Sequence, residues 1–344
     1  MGSRRLFYKY TAFVCTILFI LGCARAEAGE PIAFLDEAPE IVQISLPPAQ
    51  IIQRPRFTVI PQNALPGEPV TIAYSDNFGA RGFQSLQAVL MSESSRRLAR
   101  AAFFTLPTEA GEPEIRTAIL AIPNTASPGF SFIRIESADG LIRDIPIVIM
   151  ERTYDSETIR LNQENTDIRI APNPQRTAES EHLWAVLSRT GTNIYHDGPF
   201  SPPVESTRRT SRYAHRRVYH YIDNTTDTSI HAGIDYGVPT GTPVFASAAG
   251  RVVMAMYRIV TGNTVVLEHY PGVYTLYYHM DSLEVMEGDV CETGDLVGLS
   301  GSTGLSTGPH LHWEVRVSGE FADPDFFLAR PILDKNEIIT KLME

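Results

Sequence analysis

Residues 308–315 read GPHLHWEV, two histidines one residue apart among apolar neighbours. Side chains alternate faces along a strand, so His310, His312 and Glu314 share one side while Leu311, Trp313 and Val315 share the other. The alternation predicts a strand with core on one face and polar groups on the opposite face. A half-buried strand wetted on its polar side fits an isolated pair of this kind equally well, so the surrounding sequence decides.

Eight of the chain's nine histidines, at 196, 215, 220, 231, 269, 279, 310 and 312, fall between Tyr195 and Asp325, a β-rich stretch full of glycine-containing turns. The segment SIHAGIDYG (229–237) holds His231 and Asp235, a neutral nitrogen donor and a carboxylate oxygen donor of the types zinc accepts. It is followed by VPTGTPVFASAAGRVV (238–253), a turn and strand, and by YTLYYHMDSL (274–283), which carries His279. A catalytic zinc site needs three protein ligands and an open water position, together with a group to take the water's proton and donors for the oxyanion. His231, Asp235 and one histidine of the HLH pair supply the ligands; the other histidine and His279 supply the rest.

The whole chain, 344 residues long with 43% hydrophobic and 20% charged residues, has the composition of an ordinary globular protein of about two domains. A net charge of −11 offers no basic surface, and no nucleic-acid-binding motif is present. Residues 1–26 combine Arg4, Arg5 and Lys9 with an apolar run from Thr11 to Gly22, too short to span a bilayer and read as an export signal. Its end admits two readings: cleavage after the small residues Ala24 and Ala26, or a lipobox of Ile20, Leu21, Gly22 and Cys23 that places a lipid anchor on Cys23. Either way the protein is expected in the periplasm or cell envelope. Cys15 and Cys23 belong to the signal region, so Cys291 stands alone, without a disulfide or thiolate-metal partner, as a small hydrophobe in a strand.

Residues 27–55 form a proline-containing leader. Over 56–152 seven β-rich runs separated by turn signals such as Pro66-Gly67 suggest an immunoglobulin-like β-sandwich, with no clustered histidines or paired carboxylates. Residues 153–197 read as a linker with one short helix, on the spacing of Leu183, Val186 and Leu187 after Pro172 and Pro174. The catalytic segment is expected at 198–330 and a C-terminal tail at 331–344.

The segment from about 198 to 325 resembles the lysostaphin-type, or LytM-like, zinc endopeptidases that cut peptides of bacterial peptidoglycan. The resemblance rests on HAGID, GTPVFASAAGRV, YYH, GDLVGLSGSTGLSTG and GPHLHWEV in that order. It implies a mostly β protein whose catalytic half is a lysostaphin-type, hybrid-barrel-like sheet. It further implies Zn2+ held by His231, Asp235 and His312, with His310 and His279 as base and transition-state stabiliser, and peptidoglycan peptides as substrate, with other wall enzymes as further partners. The departure lies upstream, where TSRYAHRR (210–217) puts Tyr213 and Ala214 at the Phe and Gly of the family's SxFGxR, which bears on one groove wall.

Two other classes compete. A catalytically inactive wall-binding or hydrolase-regulating member would be expected to lose ligands, and all three are present. A phosphocarrier or lipoyl-like scaffold shares the strand rhythm, but it works in the cytoplasm and lacks the HLH strand. His196, His215, His220 and His269 read as surface or groove-wall residues. Glu314 reads either as a support for a ligand or as half of an ion pair. Gly298, Gly301 and Gly304 read as turn glycines, and Tyr274, Tyr277 and Tyr278 as packing residues.

Overall fold

A computed structural model describes residues 56–75, 85–108, 114–138 and 140–344. The export signal and leader lie outside these residues. All of the described residues belong to one unit, Gln53–Glu344, and the chain is mostly β as expected.

The first nine strands are β1 (Arg56–Ile60), β2 (Asn63–Ala64), β3 (Pro69–Ser75), β4 (Gln87–Ser92), β5 (Arg97–Ala102), β6 (Phe104–Leu106), β7 (Ile115–Ala121), β8 (Gly129–Ser137) and β9 (Gly140–Ile149). They form two sheets, ordered β1-β3-β7-β6 and β2-β9-β8-β4-β5. That is the A-B-E-D and A′-G-F-C-C′ arrangement of an immunoglobulin-like sandwich. The run ARAAFFTL (99–106), read as a single strand, is shared between the two sheets as β5 and β6, with Phe103 at the break. Ile72, Tyr74, Leu90, Leu120, Ile133 and Ile135 fill the space between the sheets.

The region 153–197 holds more than the one helix expected. It contains strand β10 (Ser156–Arg160) and helices α1 (Gln163–Ile170) and α2 (Pro174–Leu187). Helix α1 has no apolar stripe to announce it; it starts where the Asn162 side chain accepts the Asn165 N–H at 2.9 Å. Helix α2 starts at the Asn173 cap with Pro174 in its first turn, where a missing N–H costs nothing. Strand β10, SETIR, is too short and too polar to stand out by pattern.

The second half adds β11 (Arg209–Ser211), β12 (Arg216–His220), β13 (Thr226–Ile230), β14 (Gly233–Tyr236), β15 (Pro243–Phe245), β16 (Gly250–Arg258) and β17 (Gly262–Tyr270). After these come β18 (Val273–Leu283), β19 (Val290–Cys291), β20 (Leu296–Ser300), β21 (Leu311–Val317), β22 (Glu320–Ala322), α3 (Pro324–Ala329) and α4 (Lys335–Met343). The large sheet runs β11-β14-β21-β18-β17-β16-β19, with β20 joining β15 to β18 and β22 beside β21. Strand β10 pairs in parallel with β12, which pairs with β13, in a separate three-stranded sheet.

Strand β21 is the GPHLHWEV stretch, and its two faces divide as its sequence requires. Trp313, Val315 and Val317 enter the core with Tyr277, Val265 and Leu267. On the opposite face of the sheet, Tyr274, Leu276 and Tyr278 are covered by Leu183, Val186 and Leu187 of α2. Cys291 is buried in β19 as a small apolar residue.

Two readings are corrected. Residues 331–344 are not a tail: α4 buries Ile338 and Leu342 against Ala73, Leu106 and Ile115 of the sandwich. Arg56 donates to the Leu342 and Met343 carbonyls at that helix's end. His269 is not a surface residue but fully buried. Its Nδ1–H donates to the Ala249 carbonyl at 2.8 Å, and its Nε2 accepts from the Thr275 hydroxyl at 2.7 Å. Both ring nitrogens are thereby satisfied in the neutral form, and burial lowers the imidazole to about 4.

Two outcomes are expected. The unfolded chain protonates this histidine near 6.5, whereas the native one does not until about 4, so folding stability falls as pH drops through that window. His269→Gln, which cannot titrate, should show a shallower decline of melting temperature between pH 7 and 4; an unchanged slope would refute the assignment. Strand β14 approaches β21 so closely that a Cβ on Gly233 would lie 2.2 Å from the Trp313 carbonyl oxygen. Gly233→Ala should therefore cost about 1–3 kcal/mol in denaturant unfolding by prying the two strands apart.

Candidate metal centre

The register of β14 and β21 sets Asp235 directly opposite His312. Tyr278 of β18 stands opposite His312 on the other side, and its ring stacks on the imidazole at 5.2 Å with planes 5° apart. His231 precedes β14, where its backbone N–H donates to the His215 carbonyl. Three atoms converge: His231 Nε2 lies 3.0 Å from Asp235 Oδ1 and 3.0 Å from His312 Nδ1, which is 2.8 Å from the same Oδ1. Among the described residues this is the group whose ligand-type atoms lie within 4.8 Å of one another, and all three side chains are buried.

The hydrogens explain why a cation suits this place. His231 Nδ1–H donates to the Arg212 carbonyl at 2.8 Å, which leaves Nε2 as a bare lone pair. His312 Nε2 faces Glu314 Oε2 at 3.4 Å, which favours the hydrogen there and leaves Nδ1 bare. Two lone pairs and a carboxylate oxygen then face one another with no hydrogen between them. Without a metal, a proton must fill the gap: burial opposes a charged His312, but the hydrogen bonds it donates to the Asp235 and Glu314 carboxylates raise its pKa above the ordinary histidine value. His231 is shifted the opposite way by burial. Burial alone would raise the Asp235 carboxyl, yet His231 and His312 hold it well below the usual carboxylate range. Two imidazoles and one carboxylate in this arrangement can hold a zinc-type ion.

His279 reaches the site by a distortion of β18. Regular alternation would put Tyr278 on the polar face and His279 in the core. A register shift against β17 and a left-handed backbone at His279, φ 61°, bring both to one side. The bulge is pinned by His279 N–H donating to the Thr261 carbonyl and by Nδ1–H donating to the Thr303 carbonyl at 2.7 Å. Desolvation and the neighbouring imidazoles lower His279 to about 3. His310 donates Nδ1–H to the Gly308 carbonyl at 2.8 Å, its ring centroid is 4.7 Å from that of His279, and its Nε2 is 3.8 Å from Asp235 Oδ1. Both outer imidazoles therefore present bare Nε2 atoms.

All five residues expected at the site are brought together. His196, His215, His220 and His269 are not part of the cluster; His215 instead lies 3.7 Å from Glu157. Glu314 pairs with Arg316, the ion pair expected of it, and also faces His312. Ala214 adopts a left-handed backbone, φ 62°, where the family's motif has Gly, and the Tyr213 hydroxyl donates to the Phe321 carbonyl at 3.1 Å. Sequence reading missed Arg217, Glu157 and the Thr303 carbonyl. Only Arg217 left a trace, as the second of two adjacent arginines in HRRV; a backbone carbonyl leaves none.

Comparison with known proteins gives a concordant result. The model of Peptidase family M23 matches residues 229–324. DD-carboxypeptidase/endopeptidase Mpg of Neisseria meningitidis serogroup B is 43% identical over 122 residues, 36% of this chain and 27% of that protein. Peptidoglycan DD-endopeptidase ShyA of Vibrio cholerae is 40% identical over 117 residues, 34% of this chain and 27% of that protein. The chain thus matches 27% of the length of these curated relatives. A crystal structure of a Pseudomonas aeruginosa protein of the peptidase M23 type shares the fold, with a TM-score of 0.53 and 20% identity over 77% of this chain and 94% of that one. The span from His231 to His312, over which the imidazoles converge, falls inside the matched segment, so residues 229–324 are the part of the chain that is similar to peptidase family M23.

Proposed function

We propose that the protein is a zinc-dependent endopeptidase that hydrolyses peptide bonds in the stem or cross-link peptides of peptidoglycan. The observation that carries this reading is the convergence of His231 Nε2, Asp235 Oδ1 and His312 Nδ1 within 3.0 Å, flanked by two more imidazoles with free Nε2 atoms. A phosphocarrier needs one reactive histidine, and neither a buried carboxylate among four imidazoles nor their fixed tautomers would serve it. The substrate class is supported by relatives named as peptidoglycan endopeptidases. Such a substrate puts the protein in the cell envelope. The finer reading has the N-terminal signal export it to the periplasm, with Cys23 as the residue a lipid anchor would use. No helix among the described residues is long and apolar enough to cross a membrane.

When bound, zinc acts as a Lewis acid that acidifies the attacking water and polarises the scissile carbonyl. His231, Asp235 and His312 hold it, with the Arg212 carbonyl and Glu314 fixing which imidazole nitrogen is available. His310 Nε2 takes the water's proton as general base and, once charged, returns it to the leaving amine. His279 Nε2 accepts the water's second hydrogen and aims its oxygen at the carbonyl. This assigns His279 an aligning role in place of the stabilising role that the resemblance implies. Its one hydrogen is committed to the Thr303 carbonyl, and burial keeps the ring neutral.

Digestion of purified peptidoglycan sacculi, with fragments identified by mass, should yield peptide-cleaved products. Activity should be abolished by a chelator and restored by zinc; intact cross-links after digestion with zinc-loaded protein would refute the function. His312→Ala should lose both zinc and activity, as read by elemental analysis of the purified protein. His310→Ala and His279→Ala should keep stoichiometric zinc yet cleave at least ~100-fold more slowly, the usual scale of a lost acid–base group. Metal loss in these two variants equal to that in His312→Ala would break this division of labour.

A further inference from the structure

We propose that Glu157 and Arg217 are positioning residues for Asp235, so that a strand of the linker completes the metal centre from outside the segment that defines the family. The proposal rests on the zinc reading of the preceding section. Strand β10 lies parallel to β12 with Glu157 in register with Arg217. The Arg217 guanidinium spans two carboxylates, donating from Nε to Glu157 Oε1 and from Nη2 to Asp235 Oδ2, each at 2.5 Å. The Ser211 hydroxyl donates to the same Glu157 oxygen at 2.9 Å and stands 3.1 Å from His231 Nδ1.

The two oxygens of Asp235 therefore have separate duties. Oδ1 faces His231 Nε2 and His312 Nδ1, while Oδ2 is engaged by Arg217. A carboxylate held in this way offers the ion one oxygen, not two, and cannot rotate without breaking a buried ion pair. The planar fork of arginine is what lets one side chain serve both acceptors. Glu157 accepts from the guanidinium Nε and balances its charge, so that Arg217 does not draw the Asp235 charge wholly to itself. Outer partners of this kind alter metal affinity ten- to a hundredfold in metalloenzymes generally. The linker strand, with no chemistry legible in its sequence, would thus tune the ion's affinity and coordination.

The test uses the full chain, stripped of metal and titrated with zinc against a chromogenic chelator. Visible absorption of the cobalt(II)-loaded protein and the melting temperature of the metal-free form are measured alongside. Arg217→Lys keeps the charge without the fork; zinc should bind ten- to a hundredfold more weakly, and the cobalt bands should weaken as a second carboxylate oxygen joins the coordination shell. Glu157→Ala should shift affinity in the same direction, and Glu157→Gln, which keeps an acceptor oxygen, should fall between it and the parent. The Glu157 pair carries the test if Arg217→Lys does not fold. Parental zinc affinity and cobalt spectra in the folded variants, whether or not their metal-free melting temperatures drop, would overturn the proposal and leave a purely structural ion pair. Failure of the parent protein itself to bind zinc would instead remove the function proposed above and this inference with it.

Discussion

Asp235 faces His312 because β14 and β21 pair in one particular register, and that register is enforced from the other side of the sheet. A slip of one residue would turn His310, His312 and Glu314 into the core and Trp313 out of it. Trp313, Val315 and Val317 are fully buried in the main hydrophobic cluster, so the slip is excluded by the packing of side chains that take no part in the chemistry. Gly233 permits the close approach of β14 that this pairing needs. The geometry of the His–Asp–His cluster therefore inherits its accuracy from an apolar core on the opposite face.

The polar face carries a different cost, since several charged groups are withdrawn from water there. They are arranged with alternating sign: Glu157, Arg217 and Asp235, then His312, then Glu314 and Arg316. Arg316 ends the row by lying over the Phe321 ring, 3.5 Å from its centroid, with Trp184 of α2 also beside it. Each inner member has a partner of opposite charge beside it, and Glu157 at one end also accepts from the Ser211 hydroxyl, which is the condition under which buried charges are tolerated. Removing one group from such a row leaves its neighbours uncompensated. The linker strand and α2 close the two ends of the row.

Much of this is legible in the sequence. The alternation in GPHLHWEV gave both faces of β21, and the spacing of Leu183, Val186 and Leu187 gave the covering face of α2, because burial imposes a period on apolar residues. The immunoglobulin-like sandwich followed from its β-rich runs. The expected ligand set rests on a motif order shared with a known family, not on periodicity. What escaped has a common physical cause: polar segments carry no apolar period. Strand β10 and helix α1 are held by pairing, caps and ion pairs, and Glu157 acquires its meaning only from a strand partner 60 residues away. The re-aiming of His279 depends on a backbone bulge, which no side-chain pattern encodes. His269 was misplaced because its environment satisfies both ring nitrogens, something a polar residue name does not reveal.

The separation in sequence of these partners bears on how the chain folds. His231 and His312 are 81 residues apart, Asp235 and His312 are 77 apart, and β10 can reach β12 only through a long crossover that includes both linker helices. Contacts of this span repay their loop-closure entropy only after most of the large sheet has formed, and topologies rich in them fold slowly. A short chelating loop, with its ligands a few residues apart, can catch its ion early and use it as a nucleus. Here the three side chains meet only when the strands between them are already in place. An ion held by these three side chains would consequently be captured at the close of folding, after the strands that carry them have paired.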